Sequence, residues 1–394
     1  MEVIIHRGTQ QIGGCATEYR TKNTRIFIDF GAELDSENAK PFDIEGVTKG
    51  KTNCDAVFFT HYHGDHMGLL DSINKDVPLY MGEASKTIVK ILNDRLSKSQ
   101  RIKSYDVERI DTIKTFTPAK TLTIGDIKIT PYSVDHSAYD AYMFVIEADG
   151  KKVLHTGDFR THGFRGKGVR AVLEKYVGKV DSLVCEGTTL NRDTIKCETE
   201  YELTKRIKKI IEENKYVFVL CSSTNIDRLA GVCSAVPKGR YCLCDQYQLS
   251  VIDYIKEYGG KHSDLYKFDK ALWYGENLDE KMEKYGFCMF VRSGNTDHKQ
   301  TMEKFKHLNP VVIYSMWKGY LEDAKMQDFL DGYKRIDLHT SGHADSEAIK
   351  MVVDMTNPDM VVPMHTEVPE AFLKLVGASV VKIAKDKEII CLEG

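Results

Sequence analysis

The residues with the greatest chemical reach sit in one hexapeptide, His61-Tyr62-His63-Gly64-Asp65-His66. Imidazole nitrogen and carboxylate oxygen are the donors that Zn²⁺ and similar ions prefer. Four such donors this close together cannot all face one way in a regular element. In a turn they divide, His61 and His63 to one side, Asp65 and His66 to the other, an arrangement that suits two ions. Two further candidates stand at the ends of β-like runs, His136 after residues 127–133 and Asp158 after residues 152–155. A carboxylate that bridges two ions about 3.5–4 Å apart is what a two-metal hydrolase requires.

Elements must hold these groups in place. The hexapeptide follows residues 54–60, an apolar run of the buried-strand type. Before it, residues 2–6, 15–20 and 25–30 read as short strands separated by glycine or Lys-Asn turns. Residues 83–97 carry Ile88, Ile91 and Leu92 at helical spacing. Asp149-Gly150 predicts a tight hairpin between strands at 142–148 and 151–155. Strands in series with few helices predict sheet packed on sheet.

The pattern changes near residue 190. Thr199 and Glu202 form a capping box, and Leu203, Ile207, Ile210 and Ile211 continue it as an amphipathic helix. Strands at 216–221 and 241–244 alternate with helices at 225–236 and 247–258, the signature of βαβ units on a parallel sheet. Residues 1–190 are therefore expected to begin one domain, 191–334 to form an inserted α/β domain, and 335–394 to complete the first. That last stretch is read as a strand ending at His339, a helix from Asp345, a strand at 360–365, a short helix and two terminal strands.

Composition bounds the function. The chain has 394 residues, 55 Lys plus Arg against 58 Asp plus Glu, a formal charge of −3, and 42% hydrophobic residues. This excludes a disordered chain, a collagen and a strongly basic nucleic-acid coat. The ten cysteines are scattered without a CxxC pair, as expected for reduced thiols in a cytoplasmic protein. The N-terminus shows no secretory pattern and no run reaches the ~18 apolar residues of a membrane span.

HxHxDH, a downstream His136 and then Gly157-Asp158 resemble the metallo-β-lactamase superfamily. Three more segments narrow the resemblance: Glu186 in Leu-Val-Cys-Glu-Gly-Thr, His343 in Thr-Ser-Gly-His-Ala, and His365 in Val-Pro-Met-His-Thr-Glu. Together with the inserted α/β unit they resemble the β-CASP subfamily, specifically its ribonuclease J-like members. Arg7–Gly14 and the Cys221–Arg228 loop carry the same likeness. The fold implied is a four-layer αβ/βα sandwich with an inserted β-CASP domain. By resemblance, His61, His63 and His136 hold metal one, Asp65, His66 and His365 hold metal two, and Asp158 bridges them. The ions implied are two divalent cations, Zn²⁺ first, with Mn²⁺ accepted by the same ligands. A hydroxide activated by both ions is the implied nucleophile. Asp65, Glu186 and His343 are the implied catalytic groups, with His343 beside the scissile phosphate and Glu186 orienting it. Ser341, Gly342, Ala344, Ser222 and Ser223 are candidates for presenting hydroxyls and amides to a second phosphate.

The activity implied is hydrolysis of single-stranded RNA, by endonuclease or 5′-exonuclease action. A histidine at the last motif goes with the RNA-acting members of the family. The alternatives are a small-molecule hydrolase of thioesters or lactones, a DNA nuclease of the same superfamily, and a non-enzymatic binding module. The clamp domain argues against the small-molecule hydrolase and the complete ligand set against the binding module. The basic stretch from Arg160 to Arg170 starts close to Asp158 and is a candidate phosphate-backbone contact. Tyr62 is bulky for its place and is expected to narrow the mouth. His6, His155, His162, His262, His298, His307 and His339 lack local partners and are read as surface or core residues. The ribonuclease J-like proteins commonly run on into a dimerising C-terminal domain. This chain ends at Gly394, which leaves homo-oligomerisation and the exo/endo partition open.

Overall fold

The computed structural model describes residues 1–34, 42–98, 104–192, 196–261 and 263–392; His262 lies outside them. The chain forms two compact units, Met1–Cys197 with Gly342–Gly394, and Glu198–Ser341. Both crossings fall several residues later than the sequence boundaries at 190/191 and 334/335. The reasons are hydrogen bonds. Gly187 N donates to Met364 O, Thr189 Oγ1 to Ala344 O and Cys197 N to Asp345 Oδ2, holding the outgoing segment on the first unit. On the return, strand Lys334–Asp337 pairs with Val311–Tyr314 and so stays in the second unit.

The first unit is built on two sheets. One runs in the spatial order Ile389–Cys391, Glu2–Arg7, Ala16–Arg20, Arg25–Ile28, Ala56–Phe58, Leu79–Met81, Lys114–Thr115. Its first half is antiparallel and its second half parallel. The other runs Met360–Met364, Ser182–Glu186, Lys151–His155, Ala141–Ala148, Ile127–Val134, Leu122–Ile124, again part parallel and part antiparallel. Alternation along one strand explains the layers. Phe144 and Ile146 join Ile5, Ile26, Ile28 and Phe58 in the core between the sheets. Met143 and Val145 point the other way and pack with Val169, Leu173, Ile349 and Val352, from the helices that cover that sheet. On the first sheet, helix Glu83–Ser97 spans the parallel connection between Leu79–Met81 and Lys114–Thr115. The four-layer αβ/βα sandwich is the result. Asp149 and Gly150 have φ of 52° and 72°, the double positive φ of the expected hairpin.

The second unit carries a six-stranded, wholly parallel sheet, ordered Ala271–Trp273, Tyr241–Cys244, Phe287–Val291, Tyr216–Leu220, Val311–Tyr314, Lys334–Asp337. Thr199–Glu202 and Asp245–Gln248 close capping boxes on its helices Glu200–Glu213 and Gln246–Tyr258. The structure departs from the sequence reading in several places. Of the two terminal strands expected, one forms, Ile389–Cys391; residue Val381 makes only an isolated bridge to Val361. Helices Val107–Thr112 and Gly166–Val172 were not foreseen. Among the described residues, no helix is long and apolar enough to cross a membrane.

Candidate metal centre

Strand direction gathers the site. Lys151–His155, Ser182–Glu186 and Met360–Met364 are parallel, and two antiparallel steps make Ile127–Val134 run the same way. Their C-terminal ends therefore lie along one edge. Those ends deliver Asp158, Glu186, His365 and His136. From the other sheet, strand Ala56–Phe58 leads through Phe59 and Thr60 to His61, and Asp65 and His66 lie in the single helical turn Gly64–Met67. His365 adopts φ of 50°, a left-handed conformation uncommon outside glycine and associated with functional sites.

The donor atoms converge in three overlapping groups: His61, His63 and His136; His61, His66 and Asp158; Asp158, Glu186, His343 and His365, each with its ligand atoms within 4.8 Å of one another. Asp158 sits at the centre. Its Oδ2 lies 3.1 Å from His66 Nε2, 3.4 Å from His343 Nδ1, 3.8 Å from His61 Nε2 and 3.9 Å from His136 Nε2. His365 Nε2 lies 3.2 Å from Asp65 Oδ2. His61 Nε2, His66 Nε2 and both Asp158 oxygens are buried and make no hydrogen bond. Buried polar atoms are ordinarily paired. A knot of unpaired lone pairs from imidazoles and a carboxylate is the donor set of a divalent cation, and the residues fit one.

The outer nitrogens explain why the rings point inward. His66 Nδ1 is 2.8 Å from Asp29 Oδ2, His136 Nδ1 2.6 Å from the Gly342 carbonyl, and His61 Nδ1 3.0 Å from Thr60 Oγ1. His365 Nδ1 is 2.7 Å from Thr188 Oγ1, which itself donates to Glu186 Oε2 at 2.7 Å. With Nδ1–H donating outward, each Nε2 keeps a lone pair for a metal. Gly342 makes its contact possible: a Cβ there would lie 2.5 Å from Ser137 Oγ.

Charge states follow burial and neighbours. Burial drives the His61 and His136 pKa values well below the ordinary range and brings His63 to about 4. Neutral imidazole is the ligating form. Burial acts against charge on His66 and His365 too, but the carboxylate of Asp158 and its neighbours outweighs it and raises both. His343 is also raised, burial being overcome by Glu186 and Asp158. Its side chain is 24% exposed, and its Nδ1 lies 3.2 Å from Glu186 Oε2. Glu186 is otherwise engaged by the amides of Phe159 and Ala344.

Three expectations need correction. Arg160 does not reach out for a phosphate: it is fully buried with Nε on Asp135 Oδ1 at 3.2 Å, so it ties the segment that carries His136 to the segment that carries Asp158. The Ala344 amide is already spent on Glu186. Tyr62 is 2% exposed, and its hydroxyl accepts from Tyr139 N, so it supports the loop after His136 rather than narrowing an opening. His155 takes the core alternative of its surface-or-core reading: it is buried, with Nδ1 3.0 Å from Tyr19 OH. Ser222 is exposed and Ser223 buried, its Oγ accepting from Gln248 Nε2, both in the second unit; Ser341 is that unit's last residue, half-buried. A cleft of about 530 Å³ elsewhere on the chain, lined by His6, Arg20, Arg25 and Lys387, contains none of the metal-type ligands just described. Sequence reasoning missed Asp29, Thr60, Thr188 and Cys15. Cys15 lies with His66 and His365 within ligand distance. Asp29, Thr188 and Cys15 have no local spacing that would have marked them, and Thr60, though next to His61, carries no motif of its own.

Residues 24–232 match the family model described as a Beta-lactamase superfamily domain, and residues 333–373 match a Zn-dependent metallo-hydrolase RNA specificity domain. The chain belongs to the metallo-β-lactamase superfamily, and within it is similar to ribonuclease J-like proteins. It is 26% identical to an RNase J-like protein of Methanocaldococcus jannaschii over 55% of this chain and 50% of that protein. It is 20% identical to a ribonuclease J of Mycoplasma pneumoniae over 93% of this chain and 68% of that one. The chain thus spans about half the length of the first relative and two thirds of the second. A crystal structure of a protein of unknown function from Enterococcus faecalis V583 superposes with a TM-score of 0.78 at 22% identity, covering 99% of each chain. That likeness carries the fold.

Proposed function

We propose that the chain is a metal-dependent ribonuclease that hydrolyses phosphodiester bonds of single-stranded RNA. The observation that carries this reading is His343, a partly exposed imidazole set against the buried carboxylates of both Asp158 and Glu186. The match of residues 333–373, which include His343 and His365, to an RNA specificity domain supports RNA as the substrate. Two Zn²⁺ ions are proposed, His61, His63 and His136 holding one, Asp65, His66 and His365 the other, with Asp158 reaching both; such ions supply Lewis-acid charge and an acidified water.

The chain's own groups do the rest. Phosphodiester hydrolysis breaks a P–O bond, and the departing oxygen needs a proton. His343 holds one, because Glu186 and Asp158 favour its imidazolium. With Nδ1 toward Glu186, Nε2 is the nitrogen on the opposite edge of the ring, the one that would face a substrate and hand that proton over. Glu186 is fixed by two backbone amides and Thr188, so it holds the ring in register. A parallel assay on 5′-monophosphate RNA, 5′-triphosphate RNA, single-stranded DNA and a generic thioester tests the proposal. Cleavage of either RNA in preference to the others supports it; turnover of the thioester alone overturns it.

A further inference from the structure

A second, separate constellation lies in the first unit. His162, Cys197 and Asp345 place one ring nitrogen, the sulfur and one carboxylate oxygen within 4.8 Å of one another. His162 Nδ1 is 3.9 Å from Asp345 Oδ2. His162 and Asp345 are buried and Cys197 is half-buried. The three come from separate segments: the loop after Asp158, the last residue before the chain enters the second unit, and the cap of helix Ser346–Thr356, just after the chain returns.

We infer that His162, Cys197 and Asp345 form a structural site for a thiophilic divalent cation of the Zn²⁺ class, distinct from the candidate metal centre above. Three arguments lead there. First, the donors converge. In a Cys–His–carboxylate proton relay, sulfur and carboxylate flank the imidazole on opposite edges, much farther apart than they are here. Around a tetrahedral Zn²⁺, with bonds of roughly 2.0–2.3 Å, neighbouring ligand atoms lie about 3.3–3.8 Å apart. From a spread of at most 4.8 Å, that spacing is reached by closing no more than about 1–1.5 Å. Second, the charges balance. One thiolate and one carboxylate neutralise a divalent ion, which matters in a buried place and beside a helix N-terminus that disfavours net positive charge. Third, the ligands are already braced. Asp345 Oδ1 accepts from Ala348 N as the helix cap, and Oδ2 accepts from Cys197 N at 2.8 Å. Asp345 is thereby aimed, with lone pairs to spare. Sulfur together with imidazole selects Zn²⁺ or Co²⁺ over Mg²⁺ and Mn²⁺.

Such an ion fastens, within the first unit, the segment leaving it and the segment returning to it. The returning segment carries His343 two residues before Asp345. The ion would hold His343's backbone without touching its side chain.

The test loads the full chain with Co²⁺ and reads absorption. A thiolate on Co²⁺ gives an intense near-ultraviolet charge-transfer band. Cys15 lies near His66 and His365, so Cys15→Ser serves as the control. The expected result is a band in the unmodified protein and in Cys15→Ser, absent in Cys197→Ser, with one metal equivalent per chain fewer in Cys197→Ser by elemental analysis. Asp345→Asn keeps an oxygen for the helix cap and removes the charge. It is expected to lose the same equivalent while retaining the circular dichroism of the unmodified chain. A band that survives in Cys197→Ser, or no band in any form, overturns the inference.

Discussion

At the residue scale the centre divides ligands from proton carriers, and substitutions should separate them. His63→Ala and Asp65→Ala each remove a donor from one of the two proposed ligand sets. Both are expected to lose activity together with bound metal, measured by elemental analysis after gel filtration. His343→Ala is expected to keep its metal and lose 10²–10⁴-fold in kcat, the usual worth of a positioned proton donor. Full metal occupancy in the first pair would sink the ligand assignment. Thr188→Val tests the bridge from His365 to Glu186. It should weaken metal affinity by roughly 10–100-fold, as loss of a ligand-orienting partner does, without abolishing turnover at saturating metal. The histidines were legible because three of them share six residues with a carboxylate. Asp29 and Thr188 were not: Asp29 reaches His66 across 37 positions and Thr188 reaches His365 across 177. No spacing in the chain encodes that proximity; only the strand order does.

At the scale of elements, the alternating strands, the Asp149-Gly150 hairpin and the capping box at Thr199 were legible from period and turn chemistry. Strand order within each sheet was not, since pairing is decided by which faces bury together. Glu18 shows the difference. On strand Ala16–Arg20 its burial looks unfavourable, yet neighbouring strands bring His6 Nε2 to 2.6 Å and Arg25 Nη2 to 2.9 Å. Burial opposes its charge, but those hydrogen bonds prevail and lower its carboxyl to about 2 from 4.5. A folded-state value below the unfolded one means the charged form stabilises the fold. The gain is complete above about pH 4.5 and is lost as pH falls toward 2, amounting to roughly 3 kcal/mol. Acid unfolding followed by circular dichroism should therefore steepen across that window. In Glu18→Gln the curve should flatten there, with lower stability at pH 7.

At the scale of the molecule, the formal charge of −3 opposes a polyanion, whereas the proposed substrate is one. The local field resolves the tension. Histidines count as neutral in that sum, so two divalent ions at the centre would add about four positive charges against two from Asp65 and Asp158. Arg160, a candidate for extending the field, is spent on Asp135. Binding should then rest on the ions more than on surface lysines. Stripping the metal with a chelator should weaken binding of a short single-stranded RNA at least tenfold, read by fluorescence anisotropy on the His343→Ala protein so that no cleavage intervenes. The salt dependence of the metal-loaded protein should be shallow. Each phosphate neutralised by a side chain adds about −0.7 to the slope of log K against log salt for a single strand, and only one to three such contacts are expected. Metal-independent binding with a steep slope would instead locate affinity on a basic surface, and the centre would then be a site of chemistry alone.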